Sequence, residues 1–269
     1  MKKSCFKFPD GRQLIWHEIG QGQPLVLLHG WSISAVVFNE VAALLSSGYR
    51  LLIPDLPGHG GSSPALQNDL AGIANDLVCW VKAIENAPVT LVGWSLGGML
   101  SMEITHQHKL PVDRLVLIGT TPRFTQCSDW SFGLPSVQVR ALIRNLERSF
   151  EATLGNFFSL AFAGEKISKE RLRTIRTFAV RQGSLPDRDV ALGLLNMLET
   201  QDQREIISEI QQPALVLHGD LDQITPVAAG RYLAEMLPLG DFAEFTGVGH
   251  GAFMSQPQEV AEKIQEFCR

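Results

Sequence analysis

Cysteines are few in this 269-residue chain, and they do not form pairs in the sequence. The four cysteines are Cys5, Cys79, Cys127 and Cys268. They contain no Cys-x-x-Cys pair and no regular spacing, which excludes a disulfide framework and a cysteine-based zinc site. Because free thiols are typical of reducing compartments, we expect a cytoplasmic protein without a metal.

The sequence also has no excess of positive charge and no long hydrophobic run. Its 23 basic and 28 acidic residues give a net charge of −5, which argues against nucleic-acid binding through a positive whole-molecule field. No apolar run approaches the roughly 18 residues of a membrane-spanning helix. The opening residues MKKSCFKFPDGRQL contain no apolar core of a signal peptide. We therefore expect no nucleic acid and no membrane among the partners.

Short apolar segments alternate with helical patterns along most of the chain. Hydrophobic residues make up 45% of it and charged residues 19%, as in a globular protein with a sizeable core. The apolar segments are continuous, which is typical of strands covered by helices on both faces. They occupy residues 25–28, 51–53, 89–92, 115–118 and 214–217, and the helical patterns occupy 36–45, 70–84 and 96–106. This order predicts an α/β fold with a mostly parallel, doubly wound sheet, preceded by a β-hairpin that turns at Pro9-Asp10-Gly11.

The alternation stops between residues 122 and 200, where no strand pattern is present. Apolar residues there recur at helical spacing, and a final amphipathic helix follows much later, near 257–267. We therefore predict a core formed by residues 1–121 and 201–269 and a helical lid formed by 122–200. Such an insertion is expected to cover the carboxyl edge of the sheet, where open α/β proteins bind their ligands.

One short motif predicts a nucleophile. The sequence Gly93-Trp94-Ser95-Leu96-Gly97 matches G-x-S-x-G, which alone is weak in a chain with 24 glycines. Its context is stronger, because a strand precedes Ser95 and a helix follows it, as in a nucleophile elbow. The helix N-terminus would direct free N–H groups towards the site. A purely structural glycine-rich turn is the alternative.

A serine nucleophile needs a base and an orienting acid, in this fold in the order serine, acid, histidine. His250 lies in a glycine-rich loop after the last strand pattern and is the predicted base. The acid is expected after the strand 214–217, where Asp222 is favoured and Asp220 is the alternative acid. If Asp220 is not the acid, turn capping through its own backbone is its expected role. Of the other later histidines, His218 ends a strand before any obvious acid.

The predicted oxyanion donors are two backbone N–H groups. Leu96 follows the nucleophile and supplies the first, and Trp31, in Leu27-Leu28-His29-Gly30-Trp31, supplies the second. His29 is expected to hold this loop in place. The segment 55–60 reads as another sharp loop at a strand end, with a structural role.

Together these motifs resemble the α/β-hydrolase superfamily over the whole chain. Within it, the segments 27–31, 93–98 and 120–124 and the pair Asp129-Trp130 are most similar to the biotin-pathway carboxylesterases. The resemblance implies hydrolysis of the methyl ester of pimeloyl-acyl carrier protein through an acyl-enzyme, without a metal or organic cofactor. Other readings remain: the same triad could act on free small esters, lactones or carbon–carbon bonds, and a non-catalytic receptor could use the same pocket.

The predicted lid is basic on an acidic chain, with eleven basic and eight acidic residues in 122–200. Arg140, Arg144 and Arg148 recur every four residues and share one helical face. This face suits an acidic carrier protein, and a merely solvated face is the alternative. A second group of arginines, Arg171, Arg173 and Arg176, follows.

Aromatic residues of the lid are candidates for an acyl channel, although packing of the lid on the core is the alternative for each. They are Phe157, Phe158 and Phe162. The predicted substrate-binding residues are Trp31, Ser95, Leu96, Phe158, Phe162 and His250. We expect the protein to act as a monomer.

Overall fold

A computed structural model describes residues 1–179 and 185–269 of the chain. In this part of the chain eight strands form one sheet in the order β1-β2-β4-β3-β5-β6-β7-β8. The strands are β1 (Lys2–Lys7), β2 (Gln13–Ile19), β3 (Gln23–Leu28), β4 (Tyr49–Pro54), β5 (Val89–Trp94), β6 (Val112–Ile118), β7 (Ala214–Gly219) and β8 (Gly240–Phe245). Only the pairs β1–β2 and β2–β4 are antiparallel. The predicted mostly parallel α/β sheet is confirmed.

Helices cover both faces of the sheet, which is why the central strands are buried along their length. The helices are α1 (Asn39–Leu45), α2 (Leu70–Ile84), α3 (Leu96–His106), α4 (Ser136–Arg148), α5 (Phe150–Leu160), α6 (Lys169–Ala179), α7 (Arg188–Thr200), α8 (Val227–Met236), α9 (Ala252–Ser255) and α10 (Pro257–Phe267). Asp69 caps α2 by accepting a hydrogen bond from the Gly72 N–H at 2.7 Å. The pattern predicted as one helix over 36–45 begins instead as a 3₁₀ turn, Ala35–Phe38, before α1.

In the described parts of the segment predicted as a lid, residues 122–179 and 185–200, four helices, α4 to α7, lie between β6 and β7. The apolar spacing that continues from Val139 to Phe150 is divided by Ser149, whose φ of −150° and ψ of 72° are not helical. Arg171 of α6 forms a bidentate ion pair with Glu40 of α1, so this arginine attaches the segment to the core. Its side chain is therefore not part of a free basic surface.

No helix within the described residues combines the length and the apolar character needed to cross a membrane.

Candidate active site

Ser95 occupies a strained turn between β5 and α3. Its φ of 54° and ψ of −116° lie in a region that residues with side chains rarely adopt. The Ser95 N–H donates to Ile118 O at 2.9 Å, which holds the turn to the neighbouring strand. A Cβ atom on Gly93 would lie 2.3 Å from Gly97 O, and one on Gly97 would lie 2.0 Å from Leu28 O. Both glycines of the motif are thus required by the close approach of the backbone.

His250 and Asp222 form a buried pair beside this turn. His250 Nδ1 lies 2.7 Å from Asp222 Oδ2, and the Trp94 indole N–H donates to His250 O at 2.9 Å. Ser95 and His250 line the same cleft. Within the described residues no hydrogen bond joins the Ser95 hydroxyl to the His250 ring. Such contacts often tighten only when substrate is bound.

Asp222 is surrounded by hydrogen-bond donors that favour its ionised form. Its Oδ1 accepts from the N–H groups of Ile224 at 2.8 Å and Thr225 at 2.9 Å. Burial by itself would raise the pKa of Asp222, but His250 and His218 outweigh it through charge and hydrogen bonds and hold this pKa well below its usual range. The carboxylate is therefore suited to stabilise an imidazolium on His250.

The two candidate acids have different partners. Asp220 accepts hydrogen bonds from the N–H groups of Gly247 at 2.6 Å and Val248 at 3.3 Å, so it holds the loop that leads to His250. The structure thus brings Asp222, and not Asp220, to the histidine ring. It also places the buried His218 Nε2 3.3 Å from Asp222 Oδ2, a neighbour that the sequence analysis missed. The spacing of four residues between His218 and Asp222 was the only feature of the sequence that could have indicated this contact.

The Trp31 N–H lies in the loop after β3 and the Leu96 N–H lies in the first turn of α3, and both are close to Ser95. A Cβ atom on Gly30 would be 3.3 Å from Ser95 Cβ, which shows how closely the Trp31 loop passes the turn at Ser95. In the described part of the chain, neither N–H group has a protein acceptor. Both residues line the cleft, so both groups are available to a ligand there.

The cleft is lined mainly by apolar side chains, as is typical of small-molecule sites. Phe157 and Phe158 of α5 line it, whereas Phe162 does not and packs behind Phe158 at 5.4 Å between ring centroids. Apolar residues that the sequence analysis did not single out contribute much of the lining, namely Met99, Phe124, Leu154, Leu185, Leu195, Leu198 and Ile224.

The arginines predicted to bind a carrier protein lie outside the cleft. Arg140, Arg144 and Arg148 are exposed on α4, and Arg140 is 3.6 Å from Glu199 of α7. On α6, Arg173 and Arg176 are exposed as well. No cluster of metal-ligating side chains is present among residues 1–179 and 185–269.

Comparison with known proteins gives consistent matches over nearly the whole chain. A family model described as alpha/beta hydrolase fold matches residues 23–257. A protein of Chromobacterium violaceum named pimeloyl-[acyl-carrier protein] methyl ester esterase is 36% identical over 252 residues, covering 92% of this chain and 95% of the relative. A protein of the same name from Aromatoleum aromaticum is 34% identical over 253 residues, covering 91% and 98%.

Solved structures match equally broadly. An esterase from Exiguobacterium antarcticum superposes with a TM-score of 0.90 at 25% identity and covers 99% of both chains. An enol-lactonase from Burkholderia xenovorans gives a TM-score of 0.83 at 18% identity, covering 96% of this chain and 97% of the other, and shows the shared fold alone.

Proposed function

The chain belongs to the α/β-hydrolase fold family and is a hydrolase, and from this premise we propose that it cleaves the methyl ester of pimeloyl-[acyl-carrier protein] in biotin synthesis, with Ser95 as nucleophile. The observation that carries the proposal is the buried pair of His250 and Asp222, 2.7 Å apart, at the cleft lined by Ser95. The names of the relatives support the choice of ester.

In the first step Ser95 Oγ attacks the carbonyl carbon of the methyl ester while His250 Nε2 accepts the hydroxyl proton. The N–H groups of Leu96 and Trp31 stabilise the negative charge that develops on the carbonyl oxygen. Asp222 keeps the Nδ1 proton on the ring and stabilises the imidazolium. These roles require an ionised acid, which agrees with the lowered pKa of Asp222.

In the second step the tetrahedral intermediate collapses, and His250 returns the proton to the leaving methoxide, which departs as methanol. Water then attacks the acyl-enzyme on Ser95 with His250 again as base. The products are the free carboxylate and the regenerated serine, so the reaction needs no cofactor.

The cleft and the lid suggest how a long substrate would lie. Aliphatic carbons of a pimeloyl chain suit the apolar lining, with Phe158 in contact and Phe162 supporting it from behind. The acidic carrier protein would remain outside and bind the arginines of α4. In this proposal residues 122–200 act as the lid of a core formed by 1–121 and 201–269.

We propose further that the enzyme works as a monomer in the cytoplasm. All four cysteines are free, including the exposed Cys5 and Cys79, and a reducing compartment suits them.

The second candidate is an esterase of small free esters, because the similarity to the Exiguobacterium esterase supports ester hydrolysis without indicating a carrier-linked ester. A substrate panel separates the two candidates: pimeloyl-carrier methyl ester, p-nitrophenyl butyrate and a lactone are offered to the wild type and to Ser95→Ala. We expect the highest kcat/KM for the carrier-linked ester and a loss of several orders of magnitude in Ser95→Ala. Undiminished turnover by that variant would refute the mechanism, and a clear preference for the butyrate would favour the second candidate.

A further inference from the structure

Two buried histidines outside the catalytic triad contact the loop that carries Trp31. His29 lies in this loop, and His59 lies in the loop that follows β4. Their ring centroids are 5.2 Å apart, and both side chains are fully enclosed by protein. Neither lines the cleft, so neither can touch substrate.

Hydrogen bonds to the main chain determine the protonation of His29. Its Nδ1 lies 2.8 Å from Gly30 O, and its Nε2 lies 2.9 Å from the Leu56 nitrogen. A carbonyl oxygen only accepts and a backbone N–H only donates, so Nδ1 carries the proton and Nε2 is bare. Burial lowers the pKa of His29 to about 4, consistent with a neutral ring at pH 7.

His59 has the same arrangement. Its Nδ1 lies 3.1 Å from Pro57 O, and its Nε2 accepts from the Ser32 N–H at 3.2 Å. Burial, reinforced by the neighbouring His29, lowers the pKa of His59 to about 3. Both rings are therefore neutral, with one donor and one acceptor each, and all four ring nitrogens have a main-chain partner.

The two histidines act on the two peptide groups that flank Trp31. Gly30 O belongs to the same peptide group as the Trp31 N–H, so the bond from His29 fixes the plane of that group and polarises its N–H. The bond from Ser32 to His59 fixes the following peptide. Ser32 has a φ of 58°, a left-handed conformation that needs such support.

A third bond joins the same two loops. The Ala35 N–H donates to Asp55 Oδ1 at 2.9 Å, so the loop after β4 holds the Trp31 loop through Asp55 and Leu56 as well as through His59. The contacts are spread over residues 29–35, which restricts rotation of the whole loop.

We propose that His29 and His59 are positioning residues that aim the Trp31 N–H at the developing oxyanion. This inference rests on the proposed function, because it assigns a task in that ester hydrolysis. It predicts that removing the His59 bond weakens transition-state binding and leaves ground-state binding unchanged.

The test compares His59→Leu, which has no acceptor for Ser32, with His59→Gln, which retains one. Ile264→Val serves as a control that loses stability, because Ile264 is a buried residue of α10 that does not line the cleft. The readouts are kcat and KM for p-nitrophenyl butyrate and the Ki of a trifluoromethyl ketone, which forms a tetrahedral adduct with the serine. In His59→Leu we expect kcat to fall about tenfold or more, KM to change less than about twofold, and Ki to rise in parallel with the fall in kcat. His59→Gln should restore most of kcat.

An unchanged Ki in a folded His59→Leu protein, or a rise in KM at constant kcat, would overturn the inference. If that variant does not fold, His59→Asn replaces it, because its side chain stays polar but is too short to reach Ser32. Ketone affinity must fall in that variant too. Full turnover by Ser95→Ala would instead refute the proposed function, so the two failures are distinguishable.

Discussion

Asp220 and Asp222 lie two residues apart in one turn, yet they bind different groups. Asp222 is buried and 2.7 Å from the His250 ring, whereas Asp220 binds the backbone of Gly247. The difference arises because the chain turns sharply after β7, so that nearby carboxylates leave it in different directions. One carboxylate can therefore serve the chemistry while its neighbour serves the loop.

This difference predicts separate effects of two conservative substitutions. Asp222→Asn should lower kcat by about 10⁴-fold, because the ring loses the acceptor that sets its tautomer and stabilises the imidazolium. Asp220→Asn should mainly lower the midpoint of urea unfolding, because the loop loses charge-assisted hydrogen bonds. Steady-state kinetics and unfolding curves of both variants measure this. Equal losses of kcat would move the role of the acid to Asp220.

Among the elements, the segment between β6 and β7 contacts both the loop of His250 and the loop of Trp31. Ala161 O, just after α5, accepts from the His250 N–H at 2.8 Å, and Glu165 Oε1 accepts from the Gly249 N–H at 2.8 Å. The Trp31 indole donates to Ala191 O of α7 at 2.9 Å. A displacement of α5 or α7 would break these bonds, so the position of the helices and the geometry of the site are coupled.

The exposed face of α4 carries a prediction about the carrier protein. Changing Arg140, Arg144 and Arg148 to Glu should raise KM for the carrier-linked ester, because rim charges govern encounter with an acidic partner. The effect should shrink at high salt as charges are screened. Kinetics at low and high ionic strength measure it, with p-nitrophenyl butyrate as a substrate that should be unaffected.

A control variant reverses Arg173 and Arg176 on α6, which are also exposed. The same rise in KM from this pair would indicate a general charge effect and not a docking face. If the α4 variant lost the same fraction of its activity towards both substrates, its arginines would instead support the helical fold.

For the whole molecule, the buried histidines predict loss of stability in acid. The folded pKa values of about 4 for His29 and about 3 for His59 lie below the ordinary pKa of 6.5 of an exposed histidine. Below pH 6.5 the unfolded chain therefore binds protons that the folded chain cannot bind. The contribution of the two histidines to the free energy of unfolding is thus fully present above pH 6.5 and declines as the pH falls towards 4. In this interval each histidine should lower the free energy of unfolding by about 1.4 kcal/mol for each unit by which the pH falls.

Urea unfolding at pH 7, 5.5 and 4.5 measures this slope. In His59→Gln the slope should be shallower, because one of the two groups no longer titrates. A free energy of unfolding that stays constant from pH 7 to 4.5 would contradict the prediction.

Much of the fold could be predicted from local patterns, because strand and helix periodicity and the required glycines are properties of neighbouring residues. Such local patterns were enough to predict the mostly parallel sheet, the elbow at Ser95 and the family to which the chain belongs. Helix boundaries were harder to predict from the sequence, because the apolar spacing continues through Ser149, where the backbone leaves the helix.

Which of the candidate groups meet depends on contacts between segments that are distant in the sequence. Asp222, His250 and Trp31 come from separate loops, and the parallel strands bring those loops to one edge of the sheet. The contact between His59 and Ser32 and the position of Phe162 behind Phe158 likewise depend on packing between distant segments. Sequence spacing carries no information about such distances, because they are set by how the loops pack after the sheet has formed.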